Sequence, residues 1–191
     1  MKKFIFVSFF TLLLVFSSSA YSAEEGWYMR GSIGPALLSD VTASEDDIEF
    51  DTGFFVNFAP GYDFGDFRLE SEFAYQVNNV GKINQSFVKG GDVTNLSLLF
   101  NGYYDFLKGS AVRPYITAGI GVARVNAQIE GERDTDSIFA YKVGVGLSYN
   151  MSENVALDFG YRYFATSDLD VFGLELSNSS HSILLGARYN F

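Results

Sequence analysis

Alternation of apolar and polar side chains over residues 139–163 is the feature that most constrains the fold of this chain. Odd positions in 139–149 and 155–163 are apolar or aromatic, and even positions are small or polar. A β-strand sends successive side chains to opposite faces, so each half predicts a strand with one apolar and one polar face. The short segment 150–154 then joins the two strands as a hairpin.

The composition of the two faces indicates which of them points outward. The apolar face is bulky and often aromatic, whereas the other face carries glycines together with Lys142, Asp158 and Arg162. Each strand is about ten residues long, which is long for a soluble protein and suits a tilted strand that crosses a membrane. An apolar exterior with a small and polar interior is the pattern of a transmembrane β-barrel.

The same alternation recurs along the rest of the chain. It predicts eight strands, at 26–36, 54–64, 67–77, 95–106, 112–125, 139–149, 155–163 and 182–191. Short turns near Gly65, Gly109 and Ser152 alternate with longer polar segments, predicted as loops, at 37–51, 78–91, 126–136 and 166–179. Bacterial outer-membrane barrels have an even strand number, short periplasmic turns and longer extracellular loops. The predicted fold is therefore all-β, an eight-stranded antiparallel up-and-down transmembrane β-barrel.

The N-terminus has the three parts of a secretory signal peptide. Lys2 and Lys3 precede an apolar run at 4–16, and residues 17–23 are mostly small and polar. The run is too short to cross a bilayer as a helix. Cleavage fits after Ala20 or after Ser22. We therefore predict a signal peptide at 1–22 and a barrel at 23–191.

Charge and composition exclude several classes of partner. The formal charge is −10, and loss of the two N-terminal lysines would make it −12, which argues against nucleic-acid binding. One histidine and no cysteine argue against a transition-metal site, and no cofactor is predicted. The acidic segment 37–51 lacks the glycine-containing spacing of an EF-hand, so we interpret it as a solvated loop.

Charged residues on the polar face are the candidate site. They are Arg30, Arg68, Glu70, Glu72, Arg113, Lys142, Asp158, Arg162 and Arg188. An eight-stranded barrel is barely wide enough for its own side chains, so these groups must pair with one another or be hydrated. We expect Arg68, Glu70 or Glu72 to pair with charges from other strands. Two interpretations remain open: a network of salt bridges and water that fills the lumen, and a narrow gated ion path.

Three stretches carry a resemblance to a known family. RPYITAGIGVARV at 113–125, LDFGYRYF at 157–164 and the terminal Tyr189-Asn190-Phe191 resemble the small eight-stranded outer-membrane barrels of the outer-membrane-protein-A-like and opacity-protein or surface-antigen groups. The resemblance implies export to the bacterial outer membrane, contact with its lipid and lipopolysaccharide, and a structural or surface-antigen role without catalysis. It also implies that Tyr189 and Phe191 form a C-terminal signal for the barrel assembly machinery.

Three alternative functions stay open from the sequence. They are a narrow porin-like channel, an adhesin whose acidic loops bind a host surface ligand, and a lipid A-modifying enzyme. The enzyme would need His181 to meet a serine within hydrogen-bond distance. Ser180 and Ser182 should face away from His181, because neighbouring residues of a strand point to opposite faces.

Overall fold

The computed structural model describes residues 25–39, 41–43, 46–50, 52–83, 86–87, 92–129, 132–167, 169–171, 174–176 and 179–191. The predicted signal peptide, 1–22, lies outside them. Regular structure in these ranges is β-strand. The strands are β1 (Gly26–Leu38), β2 (Val41–Ala43), β3 (Asp46–Phe50), β4 (Gly53–Asp63), β5 (Phe67–Ile83), β6 (Ser86–Phe87), β7 (Asp92–Asp105), β8 (Val112–Ile129), β9 (Glu132–Asn150), β10 (Val155–Thr166), β11 (Leu169–Val171), β12 (Leu174–Leu176) and β13 (Ser179–Asn190). Within the described ranges, no helix is long and apolar enough to cross a membrane.

Eight long antiparallel strands close into a barrel. Neighbours follow the order β4, β1, β13, β10, β9, β8, β7 and β5, and β5 pairs again with β4. The first and last strands meet in register, with Gly31 opposite Ala187. Closure leaves no free edge along the wall, because each of the eight strands is hydrogen-bonded to a neighbouring strand on both sides. The predicted eight-stranded antiparallel barrel is confirmed.

Burial is the reverse of that in a soluble protein. On β10, Phe159 is 57% exposed whereas its neighbour Asp158 is 3% exposed. The same contrast holds on β9 between outward Val145, at 53%, and inward Lys142, at 3%. The apolar face therefore forms the outer wall, and the polar face forms the interior, as the alternation predicts.

Aromatic side chains form a band at the end of the barrel where the short turns lie. Trp27 contacts Tyr62 with ring centroids 5.4 Å apart, and Tyr104 contacts Phe106 at 4.9 Å. Such bands mark the membrane interfaces of outer-membrane barrels, because amphipathic rings settle at the level of the headgroups.

Backbone geometry explains the tightness of the short turns. Gly65 and Gly109 have φ values of 99° and 86°, a left-handed conformation that glycine adopts without strain. The Asp63 Oδ1 atom accepts the backbone N–H of Gly65 at 2.7 Å, which fixes the turn between β4 and β5. The predicted short turns near Gly65, Gly109 and Ser152 are confirmed.

Extended strand pairing corrects the predicted loops. The segments 37–51, 78–91, 126–136 and 166–179 were expected to be irregular, yet each contains strand residues. Strand β8 continues to Ile129, which pairs with Glu132 at the start of β9, and β3 pairs Ile48 with Ile83 of β5. The side-chain alternation fades beyond the lipid because water lies on both faces there, while backbone pairing needs no such alternation.

Candidate functional site

The barrel interior gathers all the charged residues that the sequence predicts there. None of the nine is more than 3% exposed: Arg30, Arg68, Glu70, Glu72, Arg113, Lys142, Asp158, Arg162 and Arg188. They arrive from β1, β5, β8, β9, β10 and β13, because each of these strands turns its polar face inward. The charges fall into two clusters along the barrel axis. The inner cluster lies near the short turns, and the outer cluster, around Glu72, lies further from them.

Glu72 is the centre of the outer cluster. Its carboxylate lies 2.5 Å from the Lys142 Nζ atom, 3.1 Å from Arg162 Nη1 and 3.5 Å from Arg30 Nη2. The side-chain amide of Asn101 donates a further hydrogen bond to Glu72 Oε2 at 3.1 Å. Three cations from three other strands therefore converge on one fully buried carboxylate.

Glu70 extends this cluster toward the middle of the barrel. Arg30 donates to both of its oxygens, from Nε at 2.8 Å and from Nη2 at 2.7 Å. The Tyr28 hydroxyl donates to Glu70 Oε1 at 2.9 Å. A bidentate arginine–carboxylate pair is among the stronger charged hydrogen-bond geometries, so this contact holds β1 and β5 in a defined arrangement.

The inner cluster contains two acidic residues that were not among the predicted site residues. Arg68 donates from Nε and Nη2 to the two oxygens of Asp105, at 2.7 and 2.8 Å. Asp63 lies 3.5 Å from Arg188 and 3.9 Å from Arg113. The alternation places both aspartates on the polar face, at the last residue of a strand, but the predicted set of interior charges omits them.

Pairing in the inner cluster is looser than in the outer one. Within the described residues, Asp158 has no well-oriented hydrogen bond to either carboxylate oxygen, although it is buried. Nitrogen atoms of Arg113 and Arg188 also lack hydrogen-bond partners there. A buried charge without a direct partner lowers the stability of the fold unless water can hydrate it. This half of the lumen therefore suits ordered water between the charged groups.

Tyrosine rings fill the space between the two clusters. The rings of Tyr103 and Tyr115 contact each other at 5.5 Å, and the Arg68 guanidinium lies 4.5 Å from the centre of the Tyr103 ring. The Tyr115 ring packs over Gly146 and Gly160, where any larger side chain would clash with it. Cation–π contacts of this kind stabilise desolvated arginines.

Two apolar clusters line the interior beside the Glu72 cluster. One contains Ala36, Phe55, Ala74 and Leu184, and the other contains Leu99, Ala123, Ala140 and Phe164. The Arg162 guanidinium lies 3.7 Å from the centre of the Phe55 ring. Phe55 is 0% exposed and Leu99 is 1% exposed. These buried side chains therefore add to the charged groups that fill the interior near Glu72.

The single histidine lies on the opposite face from its neighbouring serines. Ser180 and Ser182 are buried inside the barrel, and Ser180 Oγ donates to Gln76 at 3.2 Å. His181 contacts Tyr161 on the outer wall, with its Nδ1 atom 2.5 Å from the tyrosine hydroxyl. This geometry does not bring together the serine–histidine pair that a lipid A-modifying enzyme would use. Among the described side chains, no group of three or more acidic or histidine residues is arranged to hold a metal ion.

The C-terminal aromatic residues lie on the outer wall beside the short turns. Tyr189 is 49% exposed and Phe191 is 74% exposed, and their rings meet edge to face at 5.3 Å. The Phe191 amide donates to the Trp27 carbonyl at 3.0 Å, which ties the C-terminus to β1 at the seam of the barrel.

Comparison with known proteins places this barrel in a family. The family model described as outer membrane protein beta-barrel domain matches residues 8–191. The chain belongs to this family. It is accordingly a protein of the bacterial outer membrane, embedded in the lipid of that membrane.

Three relatives illustrate the family. Outer membrane protein PagN of Salmonella typhimurium (strain LT2) is 28% identical over 240 residues, and the alignment covers 100% of both chains. Major surface antigen 4 of Anaplasma marginale is 26% identical over 190 residues, covering 83% of this chain and 66% of that protein. The crystal structure of Neisserial surface protein A matches with a TM-score of 0.66 and 24% identity, covering 87% of this chain and 97% of that one. The likeness to the last is one of fold.

Proposed function

We propose that this protein is a non-conducting structural barrel that presents acidic extracellular segments as a surface antigen. The observation that carries the proposal is the filled lumen. Glu72 and its cations from three other strands are buried in the interior, and the rings of Phe55 and Phe164 lie 3.7 and 5.3 Å from the Arg162 guanidinium. A barrel closed in this way acts through its ends and its outer wall.

The distribution of charge supports a role at the extracellular end. In the proposed orientation the short turns face the periplasm and the longer connections face outward. The segment 37–51 holds six acidic residues and no basic one, and 126–136 holds four acidic residues and one basic one. The segment 166–179 adds three acidic residues, whereas 78–91 contains two lysines. A field of this sign attracts cationic surfaces, so a host ligand, if this barrel acts as an adhesin, is expected to be basic.

The names of the relatives agree with this role. Major surface antigen 4 and Neisserial surface protein A are named as surface proteins. We also propose a route of biogenesis. The signal peptide 1–22 is removed after export, and the barrel assembly machinery recognises Tyr189 and Phe191. Lipopolysaccharide of the outer leaflet is the proposed lipid partner on the extracellular side.

Single cysteines test the proposed orientation, because the sequence contains none of its own. Asp47→Cys places a thiol in the acidic extracellular segment, and Ser152→Cys places one in the periplasmic turn. Intact cells are treated with a membrane-impermeant maleimide. We expect labelling of Asp47→Cys in intact cells, and labelling of Ser152→Cys only after the outer membrane is permeabilised. The reverse pattern would refute the orientation.

Electrical recording tests the filled lumen. The purified barrel is added to planar bilayers, and its current is compared with that of a large general porin. We expect no discrete conductance steps from this protein. Reproducible conductance steps would refute the proposed non-conducting barrel and favour the narrow porin-like channel.

A further inference from the structure

A lysine amine and an asparagine carboxamide meet on one oxygen atom in the barrel interior. The Lys142 Nζ atom donates to Glu72 Oε2 at 2.5 Å, and the Asn101 Nδ2 atom donates to the same oxygen at 3.1 Å. All three side chains are buried. A single carboxylate oxygen therefore contacts both nitrogen atoms and holds the two side chains next to each other.

Strand register explains why these groups meet although β7 and β9 are not neighbours. Asn101 of β7 lies opposite Gly119 of β8, and Gly119 lies opposite Lys142 of β9. Gly119 has no side chain, and the Asn101 carboxamide occupies the space in which the Cβ atom of a larger residue would lie. Two strand spacings, about 10 Å, separate the backbones of Asn101 and Lys142. Their side chains can bridge that distance because nothing projects from Gly119 between them.

The surroundings of the pair are largely apolar. Leu99 and Ala140 are the neighbouring inward-facing residues on β7 and β9, and both are buried. The centre of the Tyr103 ring lies 5.7 Å from Lys142 Nζ. In the part of the chain that the structure describes, Asn101 Oδ1 has no hydrogen-bond partner. The hydrogen bond to Glu72 is therefore the contact that orients the carboxamide.

Transfer of a proton away from Lys142 would reduce the charge imbalance of the outer cluster. This cluster contains two carboxylates and three cations: Glu70, Glu72, Arg30, Lys142 and Arg162. A lysine amine acts as a nucleophile when desolvation or a neighbouring cation favours loss of its proton. Glu72 Oε2 contacts both the amine and the amide nitrogen, so it can take a proton from the first and give it to the second.

We propose that Lys142 and Asn101 form a covalent amide bond after folding, with Glu72 as the proton carrier. The Lys142 Nζ atom attacks Asn101 Cγ, a new C–N bond forms, and the bond from Cγ to Nδ2 breaks. Two protons pass from the lysine nitrogen through Glu72 to the amide nitrogen, which leaves as ammonium. Glu72 ends as a carboxylate, and the step consumes no oxidant or other reactant. The structure shows the three groups before this reaction.

The bond has a consequence for stability that does not depend on the orientation of the barrel. It joins β7 to β9 across β8 and closes residues 101–142 into a covalent loop. A crosslink of this kind reduces the conformational freedom of the unfolded chain and so stabilises the folded barrel. An amide bond also persists under reducing conditions, and the sequence has no cysteine with which to form a disulfide.

Mass spectrometry of the barrel purified from outer membranes tests the link. We expect the chain to be lighter than its sequence by one ammonia molecule. Trypsin should fail to cleave after Lys142 and should release a branched peptide in which residues 90–108 are joined to residues 134–162. On gels of boiled and reduced samples, the looped chain should migrate ahead of an unlinked chain, because it is more compact when denatured.

Three variants identify the groups that form the bond. Lys142→Arg keeps a cation but has no amine, so it should show no loss of mass and no branched peptide. Glu72→Gln lacks the proton carrier, and the rate of linking after refolding should fall by about 10²–10⁴-fold. Lys108→Arg in an exposed turn is the matched control, and it should link as fast as the parent protein. The gel shift of unboiled samples identifies the folded fraction, in which linking is measured.

The parent barrel and Lys142→Arg together provide the refuting results. The full sequence mass in the folded parent barrel, after prolonged incubation, would show that no bond forms. Asn101 precedes Gly102, and cyclisation of asparagine to a succinimide loses the same mass. Loss of ammonia that persists in Lys142→Arg would therefore replace the crosslink with a succinimide. Loss of one water molecule, with a branch from Lys142 to Glu72, would refute Asn101 as the partner.

Discussion

Replacing Glu72 with glutamine removes the negative charge on which Lys142, Arg162 and Arg30 converge. The three nitrogen–oxygen distances are 2.5, 3.1 and 3.5 Å. At an effective dielectric constant of 20, each contact is worth about 5–7 kcal/mol of gross attraction. Desolvation of each ion, at several kcal/mol, and repulsion between the cations oppose this attraction. Removing one partner of a buried pair costs about 3–5 kcal/mol, so we expect a loss in that range.

The assay is reversible urea unfolding of the barrel in lipid vesicles. Trp27 is the single tryptophan of the sequence, and its side chain is 65% exposed on the lipid-facing wall, so its fluorescence reports insertion. Glu153→Gln in the exposed turn is the matched control, with an expected change within about 0.5 kcal/mol. Adding Lys142→Met to Glu72→Gln should recover about 1–3 kcal/mol, because it removes a cation that has lost its partner.

The refuting result concerns stability and current together. A dry, closed interior predicts a clear loss of stability in Glu72→Gln and no conductance in either protein. A hydrated, gated path predicts little change in stability and an altered conductance. If Glu72→Gln changes neither quantity, the charges around Glu72 do not work as a network, and the reasoning from their convergence is wrong.

Four further predictions test other parts of the molecule. Val145→Arg points a cation into lipid and should cost about 2–4 kcal/mol, whereas Asp47→Lys should be nearly neutral; equal costs in urea titrations would contradict the outward assignment. Phe55→Ala or Phe164→Ala should each cost about 3–5 kcal/mol, because each leaves a cavity in an interior apolar cluster; urea titrations without such a loss would contradict that packing. Boiled and unboiled samples should migrate differently on a gel, with a β-rich circular dichroism spectrum, because a closed barrel resists detergent; a helical spectrum after refolding would contradict the fold. Phe191→Ala should slow assembly in cells, seen as protease-sensitive protein in the periplasm, while refolding in detergent stays normal; equal assembly rates would remove the C-terminal signal.

The faces of the barrel strands could be predicted from sequence because lipid imposes a strict rule on each strand. Side chains that meet hydrocarbon must be apolar, so the alternation around Val145 and Phe159 indicates both the strand and its orientation. The pairing of charges inside the barrel could not be predicted in this way. Glu72 accepts hydrogen bonds from Lys142 and Arg162, which are 70 and 90 residues away along the chain. These contacts depend on the stagger between strands, which the sequence of a single strand does not indicate.

Two kinds of feature were predicted incompletely. The alternation places Asp63 and Asp105 on the polar face, but they are the final residues of their strands, and the predicted set of interior charges omits them. Asp63 accepts the Gly65 amide and faces Arg188. The extensions of β8 and β9 lie beyond the lipid, where no apolar face marks a strand. Backbone pairing continues there without any signature in the side chains.

The hairpin of β8 and β9 has a consequence for immune recognition. Its arms hold 18 and 19 residues and remain paired as far as Ile129 and Glu132. A tilted strand of that length spans about 47 Å, so the hairpin stands about 20 Å above the apolar band. An antibody that binds this hairpin contacts two paired strands whose conformation is fixed by the barrel. Antibodies raised against short linear peptides from 126–136 should therefore bind the boiled protein better than intact cells, whereas antibodies raised against the folded barrel should lose binding when it is boiled.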